Sequence, residues 1–335
     1  WRLSTDVGCA FIALDGLSAY YAFSRDARAQ NALAAMLRLF ARIDPEEVRM
    51  QTHATLTALR GALRVYRLGG DERLLALVRE RFAAYCARAQ TVNFANYNWF
   101  GRPQWTEPCG VVDSLMLAQD LFGETGERSW LRLANRIFFN GLLSSQRENG
   151  GFGCDNCVTR DGRQPLLEAH KGAYEAYWCC SMRGAEGLMA AAHGGAFERE
   201  GEIVLALRGA GRYSLEQVQI RGDFPWEEKV EIAFTGVRAP FMLRVLLPQG
   251  VQACDWPEGA RREENDLLLR VARDGVVSLT LEMPVRREAL PGGGHTLWRG
   301  DLLLGGGDEA TAQPVALRQH WAREALERRP LRLIF

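Results

Sequence analysis

The chain has 335 residues, 47% hydrophobic and 24% charged, with 41 Lys plus Arg balancing 41 Asp plus Glu. Balanced charge without a basic stripe argues against nucleic acid and acidic membrane surfaces as partners, and no apolar run is long enough to span a bilayer. Eight cysteines, several of them clustered, do not form a disulfide framework in a chain this size and point to metal binding in a reducing, cytoplasmic setting. The length suits one large or two medium domains. The chain opens at Trp1 inside a helical pattern, so a processed or truncated piece is expected.

Residues 1–195 read as helices. Apolar residues recur at helical spacing through Phe11, Leu14, Leu17 and Tyr21, then Leu33, Met36, Leu37 and Phe40. Further patterns run through Leu56–Tyr66, Leu74–Tyr85, Leu115–Phe122 and Trp130–Gly141, with a seventh around Leu188. The connections repeat: in Gly69-Gly70-Asp71 and Gly126-Glu127 a helix ends at Gly and an acidic residue opens the next, with Ser24-Arg25-Asp26 as a weaker copy. Helical hairpins recurring every ~50 residues predict an (α/α) array or toroid, with an irregular bundle as the alternative.

Two stretches interrupt the helices. Residues 91–106 are rich in aromatic and Asn residues, and 147–177 carry Gly150, Gly151, Gly153 and the Cys154-x-x-Cys157 pair. Long loops of this kind line sites carried on a rigid scaffold, and aromatic faces beside amides suit sugar rings. Trp99 and Trp105 are the candidate sugar-binding aromatics; the alternative is that they plug the core.

After residue 196 the pattern alternates, as in Glu202–Leu207, Lys229–Phe234, Phe241–Leu247, Asp266–Val271, Val276–Glu282 and Trp298–Leu304. Short alternating strands separated by turn residues predict an antiparallel β-sandwich over 196–308. The fold expected is therefore α+β and multidomain, ending in a 309–335 tail with a short helix near His320–Arg328.

The chemistry concentrates in Glu107-Pro108-Cys109 and the vicinal Cys179-Cys180, each where an amphipathic helix begins. Three soft thiolates and one carboxylate suit a tetrahedral Zn²⁺, and a helix N-terminus favours thiolate over thiol. The vicinal pair reaches one ion only outside regular helix, so it is expected just before its helix, with Arg183 balancing charge. A rival set is Cys154, Cys157, Cys179 and Cys180 as a structural four-thiol site, and another alternative is buried thiols without metal, as expected for Cys9, Cys86 and Cys254.

Glu-x-Cys followed by Cys-Cys, on a helical portion running into strands, resembles the β-L-arabinofuranosidase family, glycoside hydrolase family 127 and its relatives. The likeness also touches His53 in Gln-Thr-His-Ala, Trp105–Cys109, Asn140-Gly141, Trp178-Cys179-Cys180 and Asp223-Phe-Pro-Trp-Glu. It implies an (α/α)₆ toroid followed by β-sandwiches, zinc on Glu107, Cys109, Cys179 and Cys180, and Cys179 as nucleophile of a retaining hydrolysis. It also implies that His53 contacts sugar; locally satisfied on its helix, His53 would not.

Two departures stand out. The family carries its acid/base Glu upstream of the Glu-x-Cys, yet Val92–Thr106 holds no Asp or Glu, and a retaining glycosidase needs a proton donor roughly 5 to 5.5 Å from its nucleophile. Glu175, Asp155 and Asp113 are the carboxyl groups left for that role. A closed ring of hairpins also needs about twelve helices rather than the seven patterns seen, so a partner chain or second copy completing the helical domain is expected. The function expected is a zinc-dependent retaining hydrolase acting on arabinofuranosides or related sugars. A carbohydrate-binding scaffold with structural zinc and a zinc-thiolate lyase are the rivals.

Overall fold

The computed structural model describes residues 8–170, 179–209, 211–212, 217–252, 254–305, 312–315 and 331–332. A helical portion is followed by β-sheets. Among the described residues the α-helices are α1 (Ala13–Ser24), α2 (Ala27–Arg42), α3 (Thr52–Gly69), α4 (Glu72–Arg88), α5 (Pro108–Thr125), α6 (Arg128–Arg136) and α7 (Cys179–His193). The tail helix expected near His320–Arg328 lies outside the described residues.

The repeated connections work as their chemistry requires. Gly70 and Gly126 both take left-handed conformations, φ 70°, to end α3 and α5. Asp26 and Asp71 open α2 and α4 by accepting the backbone N–H of Arg28 and Arg73. In the weaker copy, Arg25 takes the left-handed position itself, φ 56°, at a cost of about 1 kcal/mol that Gly would avoid.

α3 packs on α1, α4 and α5, and α5 in turn on α6 and α7. Thr52–Leu63 of α3 is buried almost without a break, as is most of α5. Gly61 lets α3 approach α1 so closely that a Cβ there would come 2.6 Å from the Leu14 carbonyl carbon. Alternate helices of a hairpin series run the same way, so α3 and α5 present their N-termini at one end, where Cys179 and Cys180 of α7 also lie.

α6 continues into a π turn, Ile137–Leu142. This places Asn140 Nδ2 on the Asp301 carbonyl at 2.8 Å and Asn140 Oδ1 on the Leu303 N–H at 2.8 Å, fastening the helices to a strand. Gly141 sits so near Phe94 that a Cβ would lie 2.4 Å from its carbonyl oxygen, which holds the 91–106 loop down. Arg128 reaches Asp266 at 2.8 Å, Arg132 donates to the Leu247 carbonyl at 2.8 Å, and Arg136 lies 4.2 Å from the Trp298 ring centre. Helices and sheets are thus joined by α6.

The strands form three sheets and a short ribbon. The first runs in the order Ala196–Arg199, Glu202–Ala206, Phe241–Leu246, Asp266–Val271, Arg261–Glu263. The second has Val218–Arg221, Lys229–Phe234 and Gly275–Leu281 at its centre, and the third joins Val285–Ala289, His295–Arg299, Leu302–Gly305 and Gln313–Pro314. One pairing corrects the all-antiparallel expectation: Glu202–Ala206 and Phe241–Leu246 are parallel. Parallel neighbours need a crossover, and here the intervening strands of the second sheet supply it. Leu331–Arg332 pairs with Leu166–Leu167, so the tail returns to the helical portion.

Candidate active site

The site is built where α3 and α5 begin, against Cys179 and Cys180 of α7. Pro108 occupies the first position of α5, with Glu107 as its N-cap, a place where the missing N–H of Pro costs nothing. Among the described residues α7 covers Cys179–His193, so the vicinal pair is helical rather than lying before its helix. The sulfurs of Cys109, Cys179 and Cys180 lie within 4.8 Å of one another. Cys109 is buried, Cys180 partly buried and Cys179 exposed.

Glu107 is held beside them by amides. Its N–H donates to Asn96 Oδ1 at 2.9 Å. Its Oε2 accepts from Asn98 Nδ2 at 2.5 Å, in the amide orientation in which Asn98 Oδ1 also accepts from Trp105 Nε1 at 2.9 Å. Gln51 Nε2 lies 3.5 Å from the same oxygen. Trp105 therefore orients the residue that orients Glu107. Trp99 is buried, 4% exposed, and meets Trp105 edge-on with ring centres 5.0 Å apart. The Trp105 ring stacks on His170 at 4.9 Å.

His53, in the first turn of α3, places Nδ1 2.7 Å from Asp113 Oδ2. Asp113 is fully buried and also receives Arg60 at 2.8 Å, Thr57 Oγ1 at 2.6 Å, and Arg183 of α7. Burial alone would push its carboxyl up, but His53, Arg183 and Arg60 outweigh it and hold the group at about 2. Asp113 therefore stays ionised and cannot be the proton donor. Asp155 is buried against Arg147 at 3.0 Å, and Glu175 lies outside the described residues. Arg183 is likewise committed, to Asp113 and Glu186. It balances the buried carboxylate, whereas His53 acts on the cluster by helping to lower the Cys180 thiol.

Burial pushes Glu107 up to about 7, with His53 partly offsetting it and the Cys180 and Asp113 charges adding to it. Burial lowers His53, but Asp113 more than offsets this, so its pKa is raised. Hydrogen bonds from Cys109 and Cys154 hold Cys180 well below the usual thiol range. Those same bonds to Cys180, followed by burial, push Cys109 and Cys154 up. Burial and then the Cys180 charge raise Cys179. Without metal, the hydrogen bonds of the cluster thus favour the thiolate of Cys180 over those of its neighbours.

Cys109, Cys179 and Cys180 form a thiol cluster that suits a metal taking soft ligands, while Glu107, expected as a fourth ligand, lies beside Cys109 but outside that cluster and would have to move toward it to add a hard oxygen. Among the described residues the three cysteines are the one metal-capable cluster. The rival four-thiol set does not assemble. Cys157 is buried with Sγ 3.7 Å from the Asn96 carbonyl, while its motif partner Cys154 turns toward Cys180. Cys9 and Cys86 are only partly buried, and the side chain of Cys254 lies outside the described residues. Sequence reasoning missed the amide cradle of Gln51, Asn96 and Asn98 and the buried hub at Asp113. Its signals were the Asn-rich loop and an acid amid the apolar residues of α5.

Residues 16–193 match the family described as β-L-arabinofuranosidase, GH127 catalytic domain. A solved structure described as a glycoside hydrolase superposes with a TM-score of 0.67 at 14% identity, covering 87% of this chain and 59% of its own. A GH127 β-arabinofuranosidase gives 0.67 at 12% identity, covering 87% and 55%. A GH127 β-L-arabinofuranosidase from Geobacillus stearothermophilus T6 gives 0.56 at 12% identity, covering 81% and 52%. At such identities the likeness is one of fold, and the chain spans between 52% and 59% of the length of these structures. No match was found among curated proteins. No helix among the described residues is long and apolar enough to cross a membrane.

Proposed function

The chain belongs to the GH127 family of β-L-arabinofuranosidase catalytic domains, and from that premise we propose that it hydrolyses arabinofuranosides or related sugars with retention, through Cys179. The observation that carries this reading is the meeting of Cys109, Cys179 and Cys180, within 4.8 Å, from two stretches far apart in sequence. Zinc on Glu107, Cys109, Cys179 and Cys180 would keep the thiols ionised at neutral pH and ease departure of sulfur from the sugar.

Cys179, the exposed sulfur of the three, attacks the anomeric carbon. The bond to the leaving oxygen breaks, that oxygen departing with the electron pair and taking a proton from solvent, and a glycosyl thioether forms on Cys179. Water then attacks the same carbon, losing a proton, and Cys179 departs as thiolate; two inversions give retention. His53, fixed by Asp113, meets a sugar hydroxyl, and Trp105, backed by Trp99, forms the aromatic wall. The same premise extends to architecture: α1, α3, α5 and α7 are consecutive inner helices of an (α/α) ring, α2, α4 and α6 lie outside, and β-sandwich layers follow.

Aryl arabinofuranosides test the nucleophile apart from the acid, because a nitrophenoxide leaves without a proton. Zinc-loaded protein turns them over and, quenched during turnover, carries a glycosyl adduct on the Cys179 peptide. Zinc-dependent hydrolysis that survives Cys179→Ser rules the mechanism out. One observation favours a second reading, a carbohydrate-binding protein with structural zinc: Val92–Thr106 holds no acid/base carboxyl. Oligosaccharide binding without turnover of any aryl glycoside supports that reading.

A further inference from the structure

The centre offers more sulfur than a four-coordinate ion beside Glu107 needs. Cys154 lies on the loop after the π turn, and two independent ties bring that loop to the site. On the α7 side, the Phe152 N–H donates to Ser181 Oγ at 3.0 Å, one residue past Cys180. The Phe152 ring also lies where a Cβ on Gly184 would come within 2.1 Å of it. On the α5 side, Thr106 N donates to the Asp155 carbonyl at 2.8 Å, and Asp155 N returns a bond to Thr106 Oγ1 at 2.9 Å. Buried Arg147 clamps the loop from within, donating to the Cys154 carbonyl at 2.8 Å and to Asp155 at 3.0 Å.

Cys154 is thereby fixed between the segment leading into α5 and the Ser181–Gly184 part of α7, buried, with its thiol donating to Cys180. It stands outside the trio whose sulfurs are all mutually close. Cys179 is the opposite case: a member of the trio, and exposed. One sulfur is available to substrate, and one is withheld from it beside the ion's other ligands.

We propose that Cys154 is a replacement ligand, taking the metal position that Cys179 vacates when Cys179 bonds to the sugar. The proposal rests on the zinc-thiolate reading above. A thioether sulfur is neutral and donates weakly, so bonding to sugar removes one anionic ligand from the ion. Cys154 restores it, giving its thiol proton to water on coordination and regaining a proton when Cys179 returns as thiolate. The ion keeps three thiolates throughout, and Cys179 reacts without loosening it.

X-ray absorption at the zinc edge counts sulfur neighbours at about 2.3 Å. Zinc-loaded Cys179→Ser is expected to retain three sulfurs: Cys109, Cys154 and Cys180. The double variant Cys154→Ser, Cys179→Ser drops to two, and its zinc affinity falls by about tenfold or more relative to Cys179→Ser. Cys157→Ser, altering the thiol bonded to Asn96, keeps the wild-type count. Two sulfurs in Cys179→Ser, whatever stands at 154, overturn the proposal. A measurement without substitution covers variants that fail to fold: Cys179 of zinc-loaded wild type is capped with iodoacetamide, and Cys154 is then expected to resist alkylation. Alkylation of Cys154 in that capped protein, with zinc still bound, overturns the proposal alone. Failure of the wild type to bind zinc overturns the zinc-thiolate reading together with it.

Discussion

Adding zinc to the metal-free protein at pH 7 is expected to release about 2.5 protons, because every ligand must be deprotonated to bind. Cys180 is already held as thiolate by its neighbours. Cys109 and Cys179 are thiols, pushed up by the bond to Cys180 and by burial, and each loses one proton. Glu107, pushed up to about 7, is half protonated at that pH and contributes about half a proton more. Each released proton makes the apparent affinity rise tenfold per pH unit. The slope of log K against pH is therefore about 3 near pH 6, about 2.5 at pH 7 and about 2 at pH 8, as Glu107 titrates. Chelator competition at the three pH values measures the slope, and calorimetry in buffers of different ionisation enthalpy counts the protons directly. Glu107→Gln flattens the slope to about 2 throughout. Release of less than one proton by the wild type would refute the reasoning, since the thiols would then be ionised beforehand or would not be ligands.

Glu107→Gln is also expected to stabilise the metal-free protein, by about 3 kcal/mol at pH 8 and little at pH 4. A carboxyl raised to about 7 in the fold disfavours folding once the unfolded chain ionises, and the cost grows between about pH 4.5 and 7; urea melts at both pH values check it. Asp113 has the opposite sign. Held at about 2, it adds about 2 kcal/mol above pH 4 that disappears as pH falls through 2, visible as a steep acid limb in the melting temperature. Asp113→Ala leaves Arg60 and Arg183 facing each other without their carboxylate, and is expected to cost about 3 to 5 kcal/mol at pH 7 in the same melts. Gly61→Ala drives a Cβ to 2.6 Å from the Leu14 backbone, separating α1 from α3 at a cost of about 1 to 3 kcal/mol by denaturant unfolding.

The meeting of Cys109 with Cys179 and Cys180 was legible in the chain because these thiols are locally encoded. Glu107 and Cys109 flank a proline that starts a helix, and Cys179-Cys180 are vicinal, so each half carries its own geometry. The Cys154-x-x-Cys157 motif was misleading for the opposite reason. Its spacing implies a shared ion, but Asp155 between the two is tied both ways to Thr106. Cys154 is left on the Cys180 side and Cys157 against Asn96. Asp113 was illegible as a hub because its partners come from α3 and α7, at separations of 53 and 70 residues for Arg60 and Arg183.

Periodicity and capping residues by themselves determined which stretches become helix and which become strand, since those choices rest on interactions within a few residues. The apolar face recurring through Leu56, Leu59 and Leu63, and the Gly–acid connections at 70–71 and 126–127, specify α3 to α6 wherever they are placed. Only tertiary packing decided what those elements bring together. Tight contact at Gly61, Gly141 and Gly184 sets how close neighbouring segments come, and that spacing brings the starts of α3 and α5 up to Cys179 and Cys180 of α7. There the charge of one thiolate, shared among sulfurs from distant segments, depends on distances that no local pattern encodes.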